Sequence, residues 1–126
     1  MGHHDRRAIV YGMAKREEQV VITKTYDRVL WSCHHTSRFP RNHRFVLGER
    51  IERQLYDLLE TLIQAKYQTE RSTLLNNANL KLEILRFQLR LAMDLQCLKF
   101  KSYEFASRAV DEIGRLIGGW SRRGDR

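Results

Sequence analysis

Arg86 and Arg90 stand four residues apart in the segment Leu85-Arg86-Phe87-Gln88-Leu89-Arg90, a spacing that places both guanidiniums on one side of a helix. Such a pair can hold a phosphate or a partner's carboxylates, because each guanidinium is a planar fork of donors that never loses its charge. The same spacing also admits a structural use, with Arg86 paired to Glu83 and Arg90 to Asp94 as surface or intersubunit salt bridges. A second basic cluster, Arg38, Arg41, His43 and Arg44, is interleaved with Phe39 and Phe45. Cations that touch phosphates and rings that stack on bases make this mixture a candidate nucleic-acid contact. The alternative is that the two Phe residues plug the end of a helical bundle.

Metal and covalent chemistry find less support. His34 and His35 follow Cys33, and His43 lies further on. Adjacent residues on a helix point about 100° apart, and none of the usual paired ligand spacings is present, so neither a metal nor another cofactor is expected. His3 and His4 lie too near the N-terminus to weigh. There is no GxSxG, P-loop, dinucleotide-binding glycine pattern or HExxH. Glu49, Glu52, Asp111 and Glu112 each lie close to Arg residues, and ion pairs on solvated faces account for them. Cys33 and Cys97 read as small, reduced, buried side chains rather than nucleophiles. The residues do not compose an enzyme active site.

The elements that hold these residues are helices. Pro40 is the single proline and sits between two long periodic segments, where it ends or redirects a helix. A first helix is expected from about Glu17 to Ser37, with Ile22, Tyr26, Val29 and Cys33 on its core face. A turn over Arg38 to Asn42 leads to a second, from about His43 to Gln68, with Leu47, Ile51, Leu55, Leu58, Leu62 and Ala65 on one stripe. Ser72 can cap a third helix running to about Leu98. Ser102, with Phe105 three places later, opens a fourth that ends near Gly118-Gly119. Short connections predict an all-α fold, an antiparallel up-down-up-down four-helix bundle over residues 17–121. Residues 1–16 read as a flexible basic N-terminal segment and 122–126 as a basic C-terminal tail.

The third helix carries two apolar stripes. Leu75, Ala78, Leu82, Leu85, Leu89 and Ala92 form one; Leu80, Ile84, Phe87, Leu91, Leu95 and Leu98 form the other, on nearly the opposite side at about 100° per residue. One stripe can face the protomer's own core. The other needs cover from a second subunit or from an unusually broad monomeric core, and homo-oligomerisation is the expectation. Gly114 and Gly118, four residues apart before Trp120, let another helix approach closely. A C-cap is the alternative for Gly118 and Gly119, though it leaves Gly114 unexplained.

At 126 residues with 42% hydrophobic and 30% charged side chains, one folded domain is expected, and charges interrupt every run that could span a bilayer. Lys15, Arg16, Glu17 and Glu18 follow the short apolar stretch from Ala8 to Ala14 and argue against a secretion signal, so a cytoplasmic protein is expected. Lys and Arg outnumber Asp and Glu by 23 to 15, a net charge of +8. That excess attracts polyanions, nucleic acid first, or serves solubility alone. It gathers where the antiparallel bundle would place one end: five Arg against two Glu in residues 38–54, and Arg86, Arg90, Lys99 and Lys101 against Asp94 in residues 86–101.

Three elements then occur in order: Phe39-Pro40-Arg41 with Leu47-Gly48-Glu49-Arg50-Ile51-Glu52; Leu85-Arg86-Phe87-Gln88-Leu89-Arg90-Leu91-Ala92; and Ile113-Gly114-Arg115-Leu116-Ile117-Gly118-Gly119-Trp120. Over roughly residues 20–121 the chain resembles the accessory variability determinant (Avd) family of diversity-generating retroelements, four-helix-bundle proteins related to those encoded in ribosomal RNA intervening sequences. The resemblance implies a non-enzymatic protein that forms a homopentameric barrel with a basic surface, binds nucleic acid and associates with reverse transcriptase during mutagenic retrohoming. By position in the LRFxLR element, it gives Arg86 and Arg90 a role in binding the transcriptase or its RNA. Arg38, Arg41, Arg44, Lys99 and Lys101 are the further basic candidates for weakly sequence-specific RNA or DNA. Leu80, Ile84, Phe87, Leu91, Gly114, Gly118 and Trp120 are candidates for oligomer or helix packing. The other reading is a free-standing bundle that binds structured RNA, as in the intervening-sequence relatives.

Overall fold

The computed structural model describes the backbone of residues 2–124 and the side chains of residues 15–123. Among these residues there is no strand. The long helices are α1 (Gly2–Thr36), α2 (Glu49–Lys66), α3 (Ser72–Asp94) and α4 (Phe100–Gly124). A single turn, Arg41–His43, and a π-helical turn, Arg44–Gly48, lead directly into α2. Each long helix packs on two others, α1 on α2 and α4, and α3 on the same pair, which closes a four-helix bundle. No helix among the described residues is long and apolar enough to cross a membrane.

The core follows the leucine periodicity of α2 and α3. Leu47, Ile51, Leu55, Leu58, Leu62 and Ala65 are buried, as are Leu75, Ala78, Leu82, Leu85, Leu89 and Ala92. From α4 come Ala106, Val110, Ile113, Ile117 and Trp120. Each large apolar side chain removed from water contributes about 1.5 to 3 kcal/mol before chain entropy is set against it.

Helix α1 departs from the expected face. Tyr26 is 54% exposed, while Ile22 and Cys33 are only half-buried against the core. The buried side is Val21, Thr25, Val29, Ser32 and Thr36. Thr25 tolerates burial because its hydroxyl donates to the Val21 carbonyl oxygen at 2.8 Å, and Thr36 donates to Glu52 Oε1 at 3.0 Å. A count of apolar residues alone misses a face built from satisfied hydroxyls. The helix also starts at Gly2 rather than near Glu17. Residues 2–16 hold no proline and several good helix formers, so nothing local stops the helix there.

Other boundaries move for identifiable reasons. Pro40, at φ −51° and ψ 144°, opens the turn at Arg41. Ser72 is the first residue of α3 rather than its cap; Arg71 holds the cap position and makes no side-chain capping bond. The third helix stops at Asp94, short of Leu98, because Gln96 adopts a left-handed φ of 62°. The amide of Cys97 then donates to the Ala92 carbonyl at 2.8 Å and that of Gln96 to Met93 at 2.9 Å, the two bonds of a Schellman stop. That turn folds Leu98 into the core, so it leaves the outer stripe to which its spacing assigned it. Ser102 lies inside α4, which begins at Phe100. Gly118 and Gly119 do not end α4; neither has positive φ, and buried Trp120 beyond them anchors the helix. Arg122 and Arg123 of the expected tail therefore lie in its last turn, while residues 125 and 126 lie outside the described residues.

Candidate interaction surface

One end of the bundle gathers unpaired positive charge. Thr36, Phe39 and Ile51 line a small cavity together with Leu89 and Leu98, so the α1–α2 and α3–α4 connections meet there. Around that end Arg38, Arg41, Arg44, Lys99 and Lys101 are exposed, and no ion pair to them is found among the described residues. The two Phe residues part company. Phe39 is 1% exposed and plugs the bundle beneath Gly48, whereas Phe45 is 66% exposed with the Arg44 guanidinium 6.0 Å from its ring centre. Only Phe45 offers a free aromatic face.

Arg86 and Arg90 also separate. Arg86 Nη1 donates to Glu83 at 3.0 Å, and its Nε donates across to Asp111 on α4 at 3.2 Å. Gly114 makes room for this crossing: a Cβ there would stand 3.3 Å from Arg86 Nη2 and 3.7 Å from Leu82 Cδ1. Arg90 is exposed and makes no ion pair with Asp94 among the described residues. The pair expected on spacing alone is thus half built, with Arg86 clamped between two helices and Arg90 open to solvent.

The outer stripe of α3 has no cover within the protomer. Leu80, Ile84, Leu91 and Leu95 are exposed, and Phe87 is 61% exposed. Trp120, by contrast, is 2% exposed in the protomer core, with the Arg71 guanidinium 5.8 Å from its ring centre. Arg71 in turn donates to Glu18 Oε1 at 2.6 Å, one of the least exposed ion pairs of the chain. Reading along single helices misses this link, since its partners lie 53 residues apart. It also misses Arg115 and Arg122, which line an open groove with Arg86.

The remaining electrostatics are unremarkable for reactivity. Burial pushes the thiols of Cys33 and Cys97 up, so both stay protonated at neutral pH. Cys33 Sγ lies 3.6 Å from the Tyr56 hydroxyl. Lys24, 2.7 Å from Glu112, holds that carboxyl below its usual range. No group of three or more His, Cys, Asp or Glu side chains among the described residues is placed to hold a metal ion.

No curated protein matches this chain. A family model described as bAvd-like matches residues 19–124, from within α1 through the end of α4. With most of its length inside that match, the chain belongs to the bAvd-like family.

Proposed function

We propose that this protein is a non-enzymatic accessory factor of a diversity-generating retroelement, one that binds reverse transcriptase and nucleic acid through a basic surface and so supports mutagenic retrohoming. The bAvd-like match over residues 19–124 is the observation that carries this reading, and that family is not known as a family of enzymes. The exposed, unpaired cations Arg38, Arg41, Arg44, Lys99, Lys101 and Arg90 support it. Phosphate contacts of this kind bind RNA or DNA with little sequence preference. A cytoplasmic location goes with such partners.

The same reading makes the protomer an antiparallel up-down-up-down bundle and the working unit a homo-oligomer, a pentameric barrel. Thr36 bonded to Glu52, and Gln19 bonded to Lys66, support opposed directions for α1 and α2. The uncovered stripe Leu80, Ile84, Phe87 and Leu91 supports a subunit contact, because single soluble protomers seldom leave such a stripe bare. The test is co-purification of the tagged protein with a reverse transcriptase encoded beside it. Retention of the transcriptase on a particle several times 15.1 kDa is expected. A monomer that retains no transcriptase would refute the reading.

A further inference from the structure

Between α3 and α4 runs an open groove of about 560 Å³, lined by Arg86, Asp111, Gly114, Arg115, Gly118 and Arg122 among others. Three guanidiniums face one carboxylate there, and that carboxylate is already engaged by Arg86 Nε. The two glycines lie on the groove side of α4. Arg86 Nη2 stands 3.3 Å from where a Cβ of Gly114 would be, and Arg122 Nη1 stands 3.5 Å from where one of Gly118 would be. One guanidinium from each helix is therefore held over the α4 backbone, Arg86 at Gly114 and Arg122 one helical turn further on at Gly118. Arg115 adds a third charge on the same helix. Arg115 and Arg122 make no ion pair among the described residues.

We propose that this groove binds the phosphodiester backbone of a single nucleic-acid strand, with Arg115 and Arg122 as its phosphate contacts and Arg86, already tied to Glu83 and Asp111, as part of its wall. The inference rests on the nucleic-acid half of the proposed function and assigns that binding to a place. The groove's volume, about 560 Å³, is that of a small-ligand cleft and holds a short stretch of one strand. The lining named above holds no large apolar side chain, whereas a protein partner would need an aromatic or aliphatic anchor pocket. Guanidiniums in sequence along a furrow match successive phosphates, which need only charge and donors. The missing side chains at Gly114 and Gly118 leave the room in which the Arg86 and Arg122 guanidiniums lie. This gives the Gly-Arg-x-x-Gly element a use beyond packing.

Fluorescence anisotropy with a labelled single-stranded RNA of mixed sequence, and with its DNA counterpart, tests the assignment. Arg115→Gln combined with Arg122→Gln should weaken both oligonucleotides roughly tenfold at low salt and reduce the slope of log affinity against log salt by about 1.4, the value for two phosphates on a single strand. Melting should not change, since both side chains are exposed and unpaired. Gly118→Leu should also weaken binding although every charge remains, because it fills the groove while favouring the helix. Wild-type affinity in both variants, alongside a wild type that binds, would overturn the groove and leave the proposed function standing. A wild type that binds neither oligonucleotide would instead refute the nucleic-acid half of that function. Lost transcriptase association with oligonucleotide affinity unchanged would give the groove to a protein partner and likewise overturn the inference.

Discussion

The two sides of α3 are made of the same material and meet different fates. Leu75, Leu82, Leu85 and Leu89 are buried against α2 and α4, while Leu80, Ile84, Phe87 and Leu91 on the opposite side touch no neighbouring helix that covers them. On the flank between, Arg86 is tied to Glu83 and Asp111 while Arg90 is open. Residue type therefore does not separate a folding role from an interaction role; the presence of a partner within the chain does. Where the protomer supplies a partner the side chain stabilises the fold, and where it does not the side chain is available to another molecule.

Leu85→Ala on the buried side should cost about 3 kcal/mol in urea unfolding, as transfer and cavity terms combine. Phe87→Glu with Leu91→Glu on the outer side should leave helicity intact yet reduce the particle, by light scattering, from several times 15.1 kDa to one protomer. Unfolding of that variant would make the outer stripe structural and end the distinction. Arg86→Ala should lower stability by about 1 kcal/mol, because two carboxylates on the bundle lose their shared cation, though solvent screening keeps the loss small. Gln96→Gly, at the stop that ends α3, should raise stability by about 0.5 to 1 kcal/mol in the same unfolding assay, since glycine adopts positive φ without strain.

The sequence is most legible where leucine carries the signal. Both stripes of α3 and the core stripe of α2 can be read directly from spacing, because large apolar side chains at three- and four-residue intervals have one stable destination per face. Helix α1 resists that reading. Its buried side mixes Val21 and Val29 with Thr25, Ser32 and Thr36, the two threonine hydroxyls donating to the Val21 carbonyl and to Glu52, while Tyr26 and Leu30 face outward. Long-range partners are equally invisible to local spacing. Asp111 competes with Glu83 for Arg86 from 25 residues away, and no i,i+4 count discloses it. The basic clusters are legible as charge, but which ring stays exposed is not: Phe39, ahead of Pro40, is buried, and Phe45, inside the π-helical turn, is exposed. The family resemblance, carried by three ordered elements, is the part of the functional reading that the family model supports most directly.

Under the proposed function, side chains left without a partner in the protomer are the ones used for recognition, and Arg90 is the sharpest case. Association of the purified protein with a reverse transcriptase encoded beside it should be measured for wild type, Arg90→Ala and Arg53→Ala. Arg53 is another exposed arginine, and it is paired with Glu49 on its own helix at 2.6 Å. Arg90→Ala should melt within about 0.5 kcal/mol of wild type yet bind the transcriptase at least about 30-fold more weakly, the loss expected when one partner of a desolvated charge pair is removed. Arg53→Ala should bind as wild type does. Undiminished association of Arg90→Ala, or an equal loss in both variants, would contradict the account.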